Sequence, residues 1–191
     1  LDALYLHSRP VLGALPVPTL PDIADGYAIL ITGIGGTGVI TLGAVLAMAA
    51  HLDGHAASAL DMTGLAQKYG AVMSHVRIAP DAARIKTARL ASGEADLVVG
   101  CDLIVSAGTD AVSKMVPGRT RVAVNMEVSP TSAFARDPDW KVVPEELLAR
   151  IAHASGRAAE GIEATRLATA LMGDAIAANM FLLGYAWQRG W

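Results

Sequence analysis

Residues 27–38 read YAILITGIGGTG, and this stretch decides the fold class. Residues 27–32 form a short, nearly continuous apolar run, which is the pattern of a central parallel strand buried on both faces. Glycines follow at once, and an Ala- and Leu-rich helical pattern then continues to Leu52. With a second strand predicted over residues 55–60, these segments form a strand–helix–strand unit. We therefore expect an α/β fold, a Rossmann-like three-layer sandwich with a mostly parallel sheet.

The rest of the chain continues this alternation of strands and helices. Strands are predicted over residues 72–78, 96–100, 121–125 and 160–164, and helices over residues 144–154 and 165–189, the latter broken near Gly173. The apolar stretch after Cys101 fits either a longer strand or a helix running to about Met115. Four prolines fall within residues 1–25, which we interpret as an extended linker or arm. Residues 26–191 are then a single α/β domain.

The composition predicts that part of the surface is covered in an assembly. Hydrophobic residues make up 53% of the chain and the mean hydropathy is +0.42, yet no window reaches the 18 or so apolar residues of a membrane span. Surface buried against other domains or subunits explains this excess, and we expect a homo-oligomer. Phe181, Leu182 and Tyr185 are the candidates for an exposed apolar patch. Because the chain begins at Leu1, we also expect a piece of a larger assembly.

Charge and cysteine content exclude several classes of function. The net charge is −3 and the Lys and Arg residues are scattered, so nucleic acid is not an expected partner, and neither is a membrane. Cys101 is the one cysteine, which excludes a disulfide framework and an iron–sulfur cluster held by this chain alone. No second His or Cys lies at metal-ligand spacing, so we expect no metal site. A reducing cytoplasmic location fits best.

The glycine turn after the first strand is a candidate anion site. Gly33, Gly35 and Gly38 satisfy the G-x-G-x-x-G spacing, with Gly36 and Thr37 between them, and the turn opens a helix. Free N–H groups and the helix dipole favour a phosphate there, so these five residues are the predicted cofactor-binding group. The alternative is that the glycines only permit close packing of strand and helix. Asp61 follows Gly38 at about the sequence separation at which dinucleotide-binding domains place their ribose-binding carboxylate. NAD binding therefore stays an alternative.

Residues 61–77, DMTGLAQKYGAVMSHVR, resemble a stretch that is typical of the indolepyruvate ferredoxin oxidoreductases. Three further stretches are similar to the same family in the same order: residues 32–41 (TGIGGTGVIT), 125–134 (NMEVSPTSAF) and 179–189 (NMFLLGYAWQR). Tyr69 departs from the family pattern, in which a second glycine is expected beside Gly70. The chain therefore resembles the gamma-type domain of the 2-oxoacid:ferredoxin oxidoreductases.

The resemblance implies that this chain is one part of a multi-domain enzyme. The chain by itself is expected to be inactive. That enzyme would oxidatively decarboxylate 2-oxoacids on thiamine diphosphate with Mg, pass electrons through iron–sulfur clusters to ferredoxin, and release an acyl-CoA. These cofactors and partners belong to the full assembly, and none is expected within this chain. Gly173 and Asp174 followed by Asn179 resemble a thiamine-binding motif, but the second glycine is Ala175 and the interval is too short.

The loop over residues 62–71 and the strand that follows it supply the candidate substrate-binding residues. Lys68 offers a positive charge to a carboxylate or a CoA phosphate, while Thr63, Gln67 and Ser74 offer hydrogen bonds. No catalytic residue is predicted. Each of these side chains has the alternative of being a solvated or interface residue. Two other functions stay open for the chain, an autonomous NAD(P)-binding domain and a structural docking module.

Overall fold

A computed structural model describes residues 15–64, 70–128 and 142–191 of the chain. Six β-strands lie in the described part, and the central ones, β1, β4 and β5, are rich in the aliphatic residues that favour strands. Their bounds are β1 Tyr27–Ile34, β2 Ala56–Thr63, β3 Ala71–Ala79, β4 Leu97–Gly100, β5 Arg121–Asn125 and β6 Glu160–Ile162.

The strands form one mixed sheet in the order β2-β3-β1-β4-β5-β6. Pairs β1/β4, β4/β5 and β5/β6 are parallel, whereas β3 runs antiparallel to both of its neighbours, β1 and β2. The mostly parallel α/β sheet predicted from the sequence is thus confirmed. The first two strands are parallel as the strand–helix–strand pattern requires, but β3 lies between them.

Helices cover both faces of the sheet. Their bounds are α1 Val39–Leu52, α2 Leu103–Ser106, α3 Thr109–Val112, α4 Pro144–Ser155, α5 Ala164–Met172 and α6 Ala178–Gln188, with single 3-10 turns at Ala82–Arg84 and Ala175–Ala177. Residues from α1, α5 and α6 share one buried apolar cluster with alternate residues of β1, such as Ile29 and Ile31. The other residues of β1, Ala28 and Leu30, pack with α2, α3 and α4. The result is a three-layer sandwich.

The stretch after Cys101 is helical, which settles the ambiguity left by its periodicity. The carboxylate of Asp102 accepts a hydrogen bond from the N–H of Val105 and thereby caps the first turn of α2. Gly108 then separates α2 from α3. A buried hydrogen bond of 2.8 Å between the hydroxyls of Thr32 and Ser106 attaches α2 to the end of β1.

One side of the last helix belongs to the core. Leu182 is fully buried, and Phe181 and Tyr185 are partly buried against the same cluster. The predicted patch on these three residues is therefore wrong for Leu182, because α6 lies flat on the sheet. The break near Gly173 is confirmed, since Gly173 ends α5 with a φ of 80°. No helix of the described residues is long and apolar enough to cross a membrane.

Candidate functional site

A cleft of about 670 Å³ opens at the carboxyl ends of β1, β4 and β5. After β1 the chain continues to β2 and β3, which lie on one side of β1 in the strand order, whereas β4 lies on the other side of β1. The cleft is therefore at the point where the strand order reverses. Open α/β sheets bind ligands at such a point, outside the carboxyl ends of the strands. The lining residues that carry the argument are Gly36, Gly38, Thr41, Cys101, Asn125 and Asn179.

The glycine turn forms one wall of the cleft, and its glycines serve different purposes. Gly36 and Gly38 have φ values of 97° and 76°, which side-chain-bearing residues rarely adopt. Gly33 is instead needed for space, since an added Cβ would come within 2.7 Å of the Thr37 and Val39 side chains. Gly33 therefore has the packing role that was the alternative for this turn. Gly35 and Gly36 face open space, where a ligand has room.

The Thr37 hydroxyl is already engaged by the turn itself. It donates a hydrogen bond of 2.8 Å to the carbonyl oxygen of Ile34. Its proton is therefore not directed toward an anion in this structure, and the hydroxyl stabilises the turn. The N–H groups of the first turn of α1 are the donors that remain for an anion, because such groups have no partner within their own helix.

Two asparagines line the cleft together with the glycine turn, and neither was predicted from the sequence as a site residue. Asn179 is buried at the start of α6 and its amide donates to the carbonyl of Gly38 at 3.3 Å. Asn125 ends β5 and donates to the hydroxyl of Thr165 at 2.8 Å. A polar residue that ends an apolar strand is a signal available in the sequence for Asn125. The approach of Asn179 to Gly38 spans most of the chain and has no local signal.

Cys101 lies on the floor of the cleft, directly after β4. The side chain is buried, and burial together with the neighbouring Asp102 carboxylate raises the pKa of the thiol to about 12. A thiol with so high a pKa stays protonated at neutral pH and is a poor nucleophile. Cys101 therefore packs as a small apolar residue.

The predicted substrate-binding residues are not all near the cleft. Ser74 on β3 is fully buried beneath α1, where its hydroxyl oxygen would lie 2.3 Å from a Cβ added at Gly43. From that position its hydroxyl does not reach a soluble substrate. Thr63 is exposed at the end of β2, the outermost strand on that side of the sheet. Gln67 and Lys68 lie outside the described residues.

Asp61 is displaced from the position of a ribose-binding carboxylate. It lies on β2 opposite Ser74 of β3, and Ser74 in turn lies opposite Ile31 of β1. Two strand spacings, roughly 10 Å, thus separate Asp61 from β1. A dinucleotide-binding domain needs this carboxylate on the strand adjacent to β1. The inserted strand β3 therefore counts against the NAD(P) alternative.

The residues of the chain do not fit the iron–sulfur clusters implied by the family resemblance. Such clusters take four cysteine ligands, and the sequence contains one cysteine. Among the residues that the structure describes, no three His, Cys, Asp or Glu side chains are grouped so as to hold a metal ion. Asp174, in the stretch that resembles a thiamine motif, accepts a hydrogen bond from the N–H of Ile176 and caps a 3-10 turn.

Fold and cleft together define a doubly wound α/β domain with an open cleft at its topological switch point. Comparison with known families makes the assignment specific. Residues 28–190 match the model of the family described as pyruvate ferredoxin/flavodoxin oxidoreductase. The chain belongs to this family, and the resemblance seen in its sequence motifs is confirmed.

Curated relatives and solved structures agree with this assignment. The chain is 33% identical over 73 residues to the indolepyruvate oxidoreductase subunits IorB of Thermococcus kodakarensis and Pyrococcus horikoshii. That match covers 38% of this chain and spans only 35% of each relative's length.

Two solved structures share the fold. The gamma subunit of a keto/oxoacid ferredoxin oxidoreductase from Geobacter sulfurreducens has a TM-score of 0.55 at 19% identity, with 84% of this chain and 75% of that chain covered. The pyruvate oxidoreductase subunit PORC from Thermotoga maritima has a TM-score of 0.53 at 18% identity, with coverages of 82% and 72%. At these identities the likeness establishes the gamma-type fold.

Proposed function

We propose that this chain is the gamma-type unit of an indolepyruvate-type 2-oxoacid ferredoxin oxidoreductase, and that its cleft borders the thiamine-dependent active site of the assembled enzyme. In that role the chain positions substrate or coenzyme, and it carries no catalytic residue of its own. The other subunits or domains supply thiamine diphosphate, Mg and the iron–sulfur clusters, and ferredoxin accepts the electrons.

One observation carries this proposal: the described parts of the four stretches that resemble the family lie together around the glycine turn. Asn125 and Asn179 begin two of these stretches, and both line the cleft beside the glycine turn of a third. The fourth stretch is joined to the same turn, because the N–H of Gly35 donates to the carbonyl of Gly70 at 3.0 Å. Motifs that are dispersed over most of the chain thus come together, as residues of one shared site do.

The two ends of this site have different partners. The turn at Gly35, Gly36 and Gly38 presents backbone N–H groups to an anionic group such as a CoA phosphate. Gln67 and Lys68, in the stretch predicted from the sequence as a loop, are proposed to bind the carboxylate of the 2-oxoacid, with Lys68 as a point charge. Thr63 precedes this loop at the end of β2 and extends the same contact surface.

The test is steady-state kinetics of the assembled oxidoreductase, with this chain co-expressed with its thiamine-binding and cluster-binding partners. Ferredoxin reduction is followed with indolepyruvate, phenylpyruvate and pyruvate as alternative substrates. We expect the highest kcat/KM with an arylpyruvate. Lys68→Ala should lower kcat/KM by roughly 10-fold to 100-fold, as expected for a lost charged hydrogen bond.

Lys86→Ala is the matched control, since Lys86 is an exposed lysine on a segment outside the site, and its kinetics should be unchanged. Equal kinetics for Lys68→Ala and wild type would remove the substrate contact and leave a docking role. An assembly that forms without this chain and turns over at the full rate would overturn the proposal.

A further inference from the structure

Asn179 joins the start of the last helix to the start of the first one. Its side-chain amide donates a hydrogen bond of 3.3 Å to the carbonyl oxygen of Gly38, a residue 141 positions earlier in the chain. The amide oxygen of the same side chain accepts a hydrogen bond of 2.8 Å from the N–H of Met180. Because a carbonyl only accepts and an N–H only donates, these two bonds determine which end of the amide faces Gly38. The protein thus holds this side chain in one orientation.

The start of α6 is a firm base for this contact. Ala178 and Leu182, next to Asn179 and one turn further on, belong to the buried core cluster. Upstream, the carboxylate of Asp174 accepts a hydrogen bond from the N–H of Ile176 and caps the 3-10 turn that leads into α6. Asn179 is itself only 8% exposed. A side chain on an element fixed in this way can hold a neighbouring turn in place.

Gly38 is the N-cap residue of α1, and it makes no capping bond because it has no side chain. The usual capping residues are Ser, Thr, Asp and Asn, whose side-chain oxygens accept a hydrogen bond from an N–H of the first helical turn. Such a bond would use a donor that an anion needs at the same place. Gly38 therefore leaves these donors to a ligand, but the turn loses the restraint that a cap supplies.

Asn179 occupies the space that a side chain at Gly38 would need. A Cβ added at Gly38 would lie 2.3 Å from Nδ2 of Asn179, well inside van der Waals contact. The carbonyl of Gly38 also accepts a hydrogen bond of 3.0 Å from the N–H of Leu42. That carbonyl belongs to the same planar trans peptide unit as the N–H of Val39, and the two groups point in opposite directions. Holding the carbonyl from behind therefore fixes the direction of the Val39 N–H.

We propose that Asn179 is a positioning residue that holds the Gly38–Val39 peptide so that the first-turn N–H groups of α1 face the anionic group of the coenzyme. This role rests on the proposed function, in which the glycine turn receives a CoA phosphate. Asn179 restrains the turn from the side of α6 and so replaces the cap that Gly38 lacks, without occupying the place of the anion. A hydrogen bond to the carbonyl also polarises the peptide and makes its N–H a better donor.

Removal of the Asn179 amide should weaken the binding of the coenzyme alone. Without it the Gly38–Val39 peptide samples other orientations, and the affinity of a ligand falls with the fraction of molecules in the competent conformation. We expect Asn179→Ala to raise the KM for CoA roughly 3-fold to 10-fold, the range of one lost hydrogen bond. The KM for the 2-oxoacid, and kcat at saturating CoA, should stay within about 2-fold of wild type, because the turn contacts the coenzyme only.

Asn179→Asp is the sharper variant, because it keeps the shape of the side chain. One carboxylate oxygen still accepts from the N–H of Met180, but the other faces the Gly38 carbonyl without a proton between them. The added negative charge also lies beside the place of the anion. We therefore expect a larger rise in the KM for CoA, about 20-fold or more.

The test is steady-state kinetics of the assembled oxidoreductase at varied CoA and at varied 2-oxoacid, with inorganic pyrophosphate as an inhibitor that competes with CoA. The inhibition constant of pyrophosphate should rise in the same order as the KM for CoA, since pyrophosphate probes the anion site without the rest of the coenzyme. Thermal unfolding verifies that the variants are folded, and Asn179→Asp carries the test alone if Asn179→Ala does not fold.

Gln188→Ala is the matched control. The Gln188 amide lies about 14 Å further along α6 and donates a hydrogen bond of 2.7 Å to the carbonyl oxygen of Pro16. The variant thus loses a comparable amide-to-carbonyl bond of the same helix, far from the glycine turn. Its KM for CoA should be that of the wild type.

The outcomes separate the role of Asn179 from the proposed function. A wild-type enzyme in which pyrophosphate does not compete with CoA would overturn both the anion contact of the turn and the role of Asn179. Competition in the wild type, with an unchanged KM for CoA in both Asn179 variants, would overturn the role of Asn179 alone. The same conclusion holds if Gln188→Ala raises this KM equally, or if kcat and both KM values change together, because a general loss of structure then explains the effect.

Discussion

The N–H of Gly35 donates a hydrogen bond of 3.0 Å to the carbonyl of Gly70, which links the turn after β1 to the residue that precedes β3. Both residues are glycines of stretches that resemble the oxidoreductase family. Because this bond joins backbone groups, it fixes the turn relative to the β2–β3 connection whatever the side chains are.

The first prediction concerns the left-handed glycine of the turn. Gly36 has a φ of 97° and open space around it, so Gly36→Ala introduces backbone strain without a clash. We expect a loss of roughly 1–2 kcal/mol in the free energy of unfolding, the usual penalty for a residue with a Cβ in this region. Urea unfolding followed by circular dichroism measures it.

Gly35→Ala is the matched control for this change. A Cβ at Gly35 also meets open space, and its φ lies outside the left-handed region, so the free energy of unfolding should be nearly unchanged. Equal losses in the two variants would show that the conformation of the turn differs from the one described.

The second prediction concerns the contact between α1 and β3. A Cβ added at Gly43 would lie 2.3 Å from the hydroxyl oxygen and 3.2 Å from the Cβ of Ser74. Gly43→Ala should therefore destabilise the chain by about 1–2 kcal/mol despite the better helix propensity of alanine. Ser74→Ala removes a buried hydroxyl that has no hydrogen-bond partner among the described residues, so it should be neutral or stabilising.

A double-mutant cycle separates this contact from general effects. In Gly43→Ala/Ser74→Ala the closest clash is gone, and we expect about 1 kcal/mol of the loss to be recovered. In the assembled oxidoreductase Ser74→Ala should leave KM unchanged. A raised KM at unchanged stability would restore Ser74 as a substrate contact.

The third prediction is a pH dependence of stability that originates from His75. This imidazole is almost fully buried on β3, and burial, together with Lys114, Arg89 and Arg77, lowers its pKa below the ordinary value of about 6.5. The unfolded chain therefore binds a proton at a pH where the folded chain does not. His75 thus contributes stability above about pH 6.5, and this contribution is lost as the pH falls toward the folded-state pKa.

Unfolding measured from about pH 7.5 to 5 in wild type and His75→Gln checks this prediction. The Nδ1 atom of His75 accepts a hydrogen bond of 3.1 Å from the N–H of Leu90, and the amide oxygen of glutamine is the acceptor offered in its place. We expect a smaller decrease of stability with acid in the variant. Identical pH profiles would contradict a buried neutral His75.

The sheet could be predicted from the sequence to the extent that local patterns determine it. Residues 121–125 were predicted as a strand and are β5 to the residue, because a buried parallel strand leaves an uninterrupted apolar run. The insertion of β3 between β1 and β2 could not be predicted in this way. Strand order depends on which edges pair, and no periodicity within Ala71–Ala79 encodes its neighbours.

The candidate site shows the same limit. The spacing of the glycine turn is evident in the sequence, but the roles of its members depend on packing that the spacing does not encode. Gly33 is confined by the nearby Thr37 and Val39 side chains, whereas Gly38 is confined by Asn179, a residue distant along the chain. In the sequence Ser74 lies close to the predicted loop, so its hydroxyl was a candidate substrate contact. In the structure, the two-residue alternation of β3 places the Ser74 side chain on the face that α1 covers.

The last prediction is that the isolated chain does not bind NADH with useful affinity. A dinucleotide site needs the glycine turn and an acidic residue on the adjacent strand, and here β3 separates Asp61 from β1 by roughly two strand spacings. The turn alone offers backbone donors to a phosphate but nothing to a ribose, so we expect NADH to bind no more tightly than inorganic phosphate. Calorimetric titration with NADH, CoA and phosphate, for wild type and Asp61→Ala, measures this. Tight NADH binding in the wild type that is lost in Asp61→Ala would favour the alternative of an autonomous NAD(P)-binding domain, because Asp61 would then act as a ribose-binding carboxylate.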